Sequence, residues 1–180
     1  MKEFKPLLLF LARFLGTYII LSLAYKLYLD QYLPHNNPDP FTKLTSDITA
    51  FGLNKCGFFS FSNIAENHPW MRLVVDGQVA SIVNEGCNAI SILIIFVSFI
   101  VAFYTNFKQT LLFILSGLAI LFVMNISRIM LLNYIFRYHA EYGKMAHDYL
   151  FPAIIYGSIV ILWIVWIKFF VTKYNKQNAK

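Results

Sequence analysis

The chain has 180 residues, of which 58% are hydrophobic and only 13% charged, with 18 phenylalanines and a formal charge of +6. A soluble domain typically carries about 25% charged residues, so an ordinary water-soluble fold is excluded. With no internal repeat, low-complexity tract or glycine-rich nucleotide loop, residues 1–180 read as one integral membrane domain.

About 20 consecutive apolar residues cross a bilayer as a helix, and four runs come near that length: 7–29, 88–104, 110–136 and 149–171. The fold expected is an all-α polytopic membrane protein of about four transmembrane helices, with a small external segment that contains a β-hairpin. Lys2 and Lys5 before the first run raise the alternative of a secretory signal peptide. The run is longer than a signal core and no small-x-small cleavage site follows "AYKLYLD", so it reads as a retained helix.

The segment 30–86 opens with "PHNNPDP", a turn-rich linker whose prolines discourage helix. Further on, "WMRLVVDGQVASIV" sets two β-prone runs on either side of Asp76-Gly77, the pattern of a type I′ hairpin. An isolated hairpin is marginal in water, so it must pack on helix ends or on "TKLTSDITAFGLNKCGFFSF". It delivers the chain to Cys87, where "IVNEGCNAISIL" passes from polar loop to the second run.

Charge bias sets the orientation. Basic residues collect in short cytoplasmic segments; Lys2 and Lys5, Lys108, and Lys173, Lys176 and Lys180 all fall on one side of a four-span chain. Every acid except Glu3 falls on the other side, in 30–86 and 137–148. Both termini are therefore expected in the cytoplasm. The net charge reflects topology, and nothing suggests a nucleic-acid partner.

This topology brings distant polar residues to one depth. Cys87 begins the second run on the outer side; Arg128 lies about 27 Å along the outward third run, counted from Thr110 at 1.5 Å per residue; His147 and Asp148 begin the fourth. Each has a plain alternative. A buried cysteine is commonly a small apolar filler, Arg128 could snorkel to the interface, and Asp148 could be a helix cap beside an interfacial histidine. Asn125, one turn from Arg128, could join helices. His139, His35 and His68 are further loop histidines, and spacing alone does not separate His139 from His147 as a base. Together, a thiol, a histidine and an arginine have a shared chemistry. A histidine activates a thiol that is otherwise only a few per cent thiolate at neutral pH, and an arginine can stabilise the oxyanion that follows.

The sequence resembles the exosortase/archaeosortase group of membrane cysteine proteases, and most closely the short exosortase F type associated with Bacteroidetes. Three blocks carry the likeness: "NEGCNAISIL", similar to a Glu-x-Cys-Ser/Asn-Gly signature; "MNISRIMLLN", similar to an Asn-x-x-Arg block; and "AHDYLFPAIIYG", similar to a final-helix histidine block. The resemblance implies Cys87 as nucleophile, Arg128 as oxyanion or substrate stabiliser and His147 as general base and acid. Glu85, Asn88, Asn125 and Asp148 are supporting candidates. Ala89 departs from the pattern, standing where many members have glycine, and the chain is shorter than eight-span members.

What the likeness implies is a sorting enzyme of the bacterial inner membrane. Its partners would be the lipid bilayer, exported proteins ending in a motif, a transmembrane helix and a basic cluster, and a small membrane accessory protein; no cofactor or metal is implied. Its active site would face the periplasm. The competing expectation is a non-catalytic four-helix assembly or scaffold protein, with a Cys56–Cys87 disulfide stapling the external segment.

Overall fold

The computed structural model describes residues 4–178; Lys2 and Lys180, used above to orient the chain, lie outside the described residues, as does Glu3. Helix α1 (Lys5–Leu29) is largely apolar, interrupted by Arg13 and Lys26, and large side chains such as Leu8, Ile20 and Leu27 stand exposed along it. Exposed apolar surface on this scale marks contact with lipid or another chain. Its inward side meets α3 (Ile90–Ala102), where Phe10 packs on Phe99 and Phe103.

Between these two helices lies more order than the sequence suggested. Asp39 accepts from the backbone N–H groups of Phe41 and Thr42 and caps α2 (Pro40–Lys55), with Pro40 in its first turn. Proline is tolerated there because that position has no intrahelical donor to lose. The buried face of α2 is Thr42, Thr45, Ser46, Thr49, Ala50 and Leu53. Its hydroxyls donate to carbonyls one turn back, from Thr45 to Phe41 (2.8 Å), Ser46 to Thr42 (2.9 Å) and Thr49 to Thr45 (2.7 Å). A stripe that is polar by composition is thus satisfied locally and can be buried.

The expected hairpin is present as β2 (Met71–Val75) and β3 (Gln78–Val83), joined at Asp76-Gly77 with φ of 49° and 78°. Two successive positive φ values are the signature of the type I′ turn. The Asp76 carboxylate accepts from the Tyr138 hydroxyl at 2.6 Å, tying the turn to the end of α4 (Phe107–Tyr138). The hairpin is only part of the sheet. A third strand, β1 (Ser60–Ile64), pairs antiparallel with β2 and gives the order β1-β2-β3. Asn54 of α2 holds β1 by both amide atoms, donating to the Ser60 carbonyl at 2.6 Å and accepting from its N–H at 3.1 Å. The sheet, α2 and α4 close around Ala50, Met71, Leu73, Val83 and Ile129, with Cys87 packed against that cluster.

Among the described residues, three helical stretches, not four, are long and apolar enough to cross a membrane: Leu7–His35, Phe107–Tyr138 and Ala140–Tyr174. The last runs through α5 (Ala140–Met145), a π-helical turn at Ala146–Leu150, α6 (Phe151–Val165), a second π turn at Trp166–Val171 and α7 (Thr172–Asn178). The run expected at 88–104 forms only the 13-residue α3, about 20 Å long against a hydrocarbon core of about 30 Å. Its ends are trimmed by Asn88 and Ala89 on one side and by a turn at Phe103 on the other. Packing explains why a short helix suffices: Phe96 and Ile100 are wholly buried with Leu121, Ile159 and Trp166. A Cβ on Gly117 of α4 would overlap the Phe96 ring, so the close approach of α3 to α4 requires glycine there. Trp166 donates its indole N–H to the Phe103 carbonyl (3.1 Å), satisfying a group orphaned at the end of α3.

Candidate active site

Cys87 is held by its backbone. Its N–H donates to the Asn84 carbonyl at 2.9 Å, and its own carbonyl accepts from the Asn125 side chain of α4, also at 2.9 Å. The next residue, Asn88, is fully buried. Its Oδ1 accepts from the Ile90 N–H (3.0 Å) and starts α3, while its Nδ2 donates to the hydroxyls of Tyr25 and Thr42, each at 3.0 Å. Thr42 in turn donates to the buried Asp39 at 2.5 Å. Helices α1, α2, α3 and α4 therefore all brace the turn that carries the thiol. Ala89 completes that turn with φ of +69°, a left-handed conformation natural to glycine and costing other residues roughly 1–2 kcal/mol.

The strained alanine gives a direct test. Ala89→Gly removes the strain but adds roughly 0.5–1 kcal/mol of unfolded-chain entropy and loses a buried methyl worth about 0.8 kcal/mol. Thermal unfolding in detergent should therefore move by no more than the equivalent of about 1 kcal/mol. Ala89→Val puts a β-branched residue where one is a genuine outlier and should lower the transition clearly. Equal behaviour of the two variants would show that the turn is not held as described.

The side chain of Cys87 is half-buried and lines a cavity of about 580 Å³. Arg128, Ile129, Leu132 and Phe136 of α4 form another part of its wall, with Lys144, His147 and Asp148 from α5 and the π turn, and residues 79–83 of β3. Cys87, Arg128, His147 and Asp148 thus meet at one cavity from separate elements. Among the described residues no hydrogen bond joins Cys87, Arg128 and His147 to one another; catalytic contacts are often loose until substrate binds. His147 Nδ1 lies 2.7 Å from Asp148 Oδ1, with both side chains about half exposed. A carboxylate only accepts, so in a neutral imidazole this pairing holds the proton on Nδ1 and puts the lone pair on Nε2. Both residues sit on a π-helical turn, a distortion frequent at functional sites. Arg128 Nε is buried with no hydrogen-bond partner, as is Glu85 Oε2.

The supporting candidates divide. Asp148 lines the cavity, Asn88 and Asn125 hold the backbone around Cys87, and Glu85 is not in the cavity wall. His139 lies at the junction of α4 and α5 with its ring 5.9 Å from that of Tyr134, away from the cavity lining. The sequence alone did not point to Thr42 and Asp39, whose hydroxyl and carboxylate steady Asn88, nor to the place of β3, Phe136 and Lys144 in the cavity wall. Lys144 precedes His147 by three residues, the spacing that places side chains on one helix face. Among the described residues, no cluster of three or more His, Cys, Asp and Glu side chains is arranged to hold a metal ion.

The expected alternative of a Cys56–Cys87 disulfide is overturned, for both thiols are free. Helix α4 explains the separation. Cys87 shares a cavity with Arg128, Ile129, Leu132 and Phe136, whereas Cys56 shares another with Ser127, Met130, Leu131 and Tyr134. Those two sets are complementary faces of one helix.

No curated protein and no solved structure matches the chain. Residues 7–170, nearly its whole length, match the family model described as Transmembrane exosortase (Exosortase_EpsH), and the chain belongs to the transmembrane exosortase family.

Proposed function

We propose that this exosortase, of the short F type associated with Bacteroidetes, is a cysteine peptidase and transpeptidase that cleaves C-terminal tripartite sorting signals of exported proteins at the outer face of the bacterial inner membrane. The observation that carries the reading is the convergence of Cys87, Arg128 and His147 on one cavity. His147 Nε2 takes the thiol proton, and the thiolate adds to the carbonyl carbon of the scissile peptide. Arg128 donates to the oxyanion. Collapse breaks the C–N bond, His147 protonates the departing amine, and the upstream fragment stays on Cys87 as a thioester. An amine or water, losing a proton to His147, then attacks that carbonyl and expels the thiolate, which takes the proton back from His147 as transfer or hydrolysis is completed. Asp148 keeps the imidazole in the tautomer this sequence needs.

Placement in a membrane suits a substrate whose own tail is a helix in the same bilayer, since lateral diffusion brings the bond to the cavity. With α3 counted as a fourth, short crossing, the basic residues at 108, 173 and 176 share one side, which supports termini on the cytoplasmic side. A small membrane accessory protein is the further partner in this reading, and residues 1–180 act as one domain. The test is to quench the purified enzyme in acid during turnover of a tail-bearing exported protein and map adducts by mass spectrometry. A hydroxylamine-labile upstream fragment on Cys87 is expected. Turnover with the adduct on another residue, or with none, would count against this mechanism.

A further inference from the structure

Strand β3 is an edge strand, with β2 on one side and, among the described residues, no backbone hydrogen bond across the other. Successive side chains of a strand point to opposite faces, so a cavity lying on one face of a sheet is lined by alternate residues. The wall of this cavity contains Ser81, Ile82 and Val83 in succession. Ser81 faces α4, where its hydroxyl donates to Asn133 at 2.9 Å, and Val83 is buried in the core cluster on that same side. Ile82 points the other way and is 49% exposed. A space bordered by both faces of one strand runs along its edge.

Apart from one bulge in its pairing with β2, that edge is unguarded. Natural sheets protect an edge with charge, proline or a covering element. The other edge, β1, is fastened to α2 through Asn54, while β3 reads Gln-Val-Ala-Ser-Ile-Val, with neither a charge nor a proline. A bulge interrupts its register between Leu73 and Val74, which leaves the regular pairs Leu73–Ser81, Arg72–Ile82 and Met71–Val83 beside the cavity. Cys87 follows four residues after Val83, and Arg128 and His147 line the same space.

We propose that the edge of β3 is the peptide-docking site: the extended segment of substrate around the scissile bond adds to the sheet as a fourth strand. Its backbone groups pair with the free N–H and C=O groups of β3, its side chains alternate between the two faces, and its carbonyl is carried to Cys87. This inference rests on the peptidase reading and names how that site grips its substrate. Main-chain pairing supplies affinity that depends little on sequence, and the pockets on either face select side chains at every second position. The continuity of the edge with the thiol, arginine and histidine makes the cleaved chain its occupant.

The test is disulfide capture in cells. The enzyme carries Cys87→Ala and Cys56→Ser, with Ile82→Cys or Val79→Cys as its one thiol. The probe is a tail-bearing exported protein whose processing by the unaltered enzyme requires Cys87, with single cysteines at ten successive positions before its tail helix. Opposed Cβ atoms on paired strands lie about 5 Å apart and intervening ones face away, so capture should be roughly tenfold stronger at every second position. Moving the enzyme's thiol from position 82 to 79 should move the maximum along the substrate. Even capture, a repeat of three to four residues, or no capture from either position overturns strand addition while the peptidase reading stands. Processing that does not require Cys87 overturns the peptidase reading itself.

Discussion

Cys87→Ala should abolish processing of tail-bearing proteins while the enzyme still inserts and accumulates. The thiol has two things to lose, chemistry and packing, and they differ in size. Its packing is modest, because the residue is only half-buried against the Met71, Leu73 and Val83 cluster and alanine keeps its Cβ; losing one small group from such a place costs on the order of 1 kcal/mol. Its chemistry has no substitute, since no other thiol lines the cavity and Cys56 sits across α4. Loss of a nucleophile in a triad removes most of the rate enhancement, on the order of a millionfold in a well-studied serine protease. Cys56→Ser is the matched control and should process normally. In-cell processing at equal enzyme level separates the cases: protein that disappears with Cys87→Ala would mean a structural cysteine, and residual processing would mean a different nucleophile.

The parts of this molecule that were legible in its sequence follow strong local signals. Asp76-Gly77 between β-prone runs is such a signal, because few residues tolerate two successive positive φ values, and the turn forms there. The long apolar runs are another, and α1 and α4 fall within a few residues of where they are expected. Helix α2 was hidden because its buried stripe is serine and threonine, which hydropathy scores as surface; the spacing of Thr42, Thr45, Ser46, Thr49 and Leu53 nevertheless repeats with a helical period. Strand β1 escaped because its sequence, Ser-Phe-Ser-Asn-Ile, is largely polar and its anchor, Asn54, is a side chain on another element. The apolar run at 88–104 reads as a span by composition, yet Asn88 is spent on the Ile90 N–H at the start of α3 and on Tyr25 and Thr42, and Ala89 turns left-handed. At the site, depth counting along helices brought Cys87, Arg128 and His147 to one level, and the cavity contains all three. The β3 wall was out of reach, because which edge of a sheet faces a helix is a tertiary fact with no local signature.

Arg128→Lys should reduce turnover by roughly a hundredfold or more, the scale of losing one oxyanion donor, although the charge is kept. If Arg128 served only to anchor the C-terminal part of α4, a lysine could snorkel to the interface equally well and little would change. The structure weighs against that role. Arg128 shares the cavity wall with Cys87 and His147, and its Nε is a buried donor with no protein partner. An unpaired buried donor costs about 1–3 kcal/mol, a strain that a carbonyl oxygen entering the cavity would relieve as it gains negative charge. Lysine cannot reproduce this arrangement. Its donors all sit on one terminal nitrogen, it has a methylene with no donor at the Nε position, and its compact, strongly hydrated charge lacks the planar fork. The loss should therefore appear in kcat, with KM changed little, because in the proposed mode of binding the tail helix and the docked strand supply most of the ground-state affinity. Processing of a natural tail-bearing protein at matched enzyme level gives the first readout, and steady-state kinetics in detergent gives the division. Near-normal turnover by the lysine variant would reduce Arg128 to an anchor. A rise in KM at constant kcat would instead make it a residue that binds substrate and transition state alike.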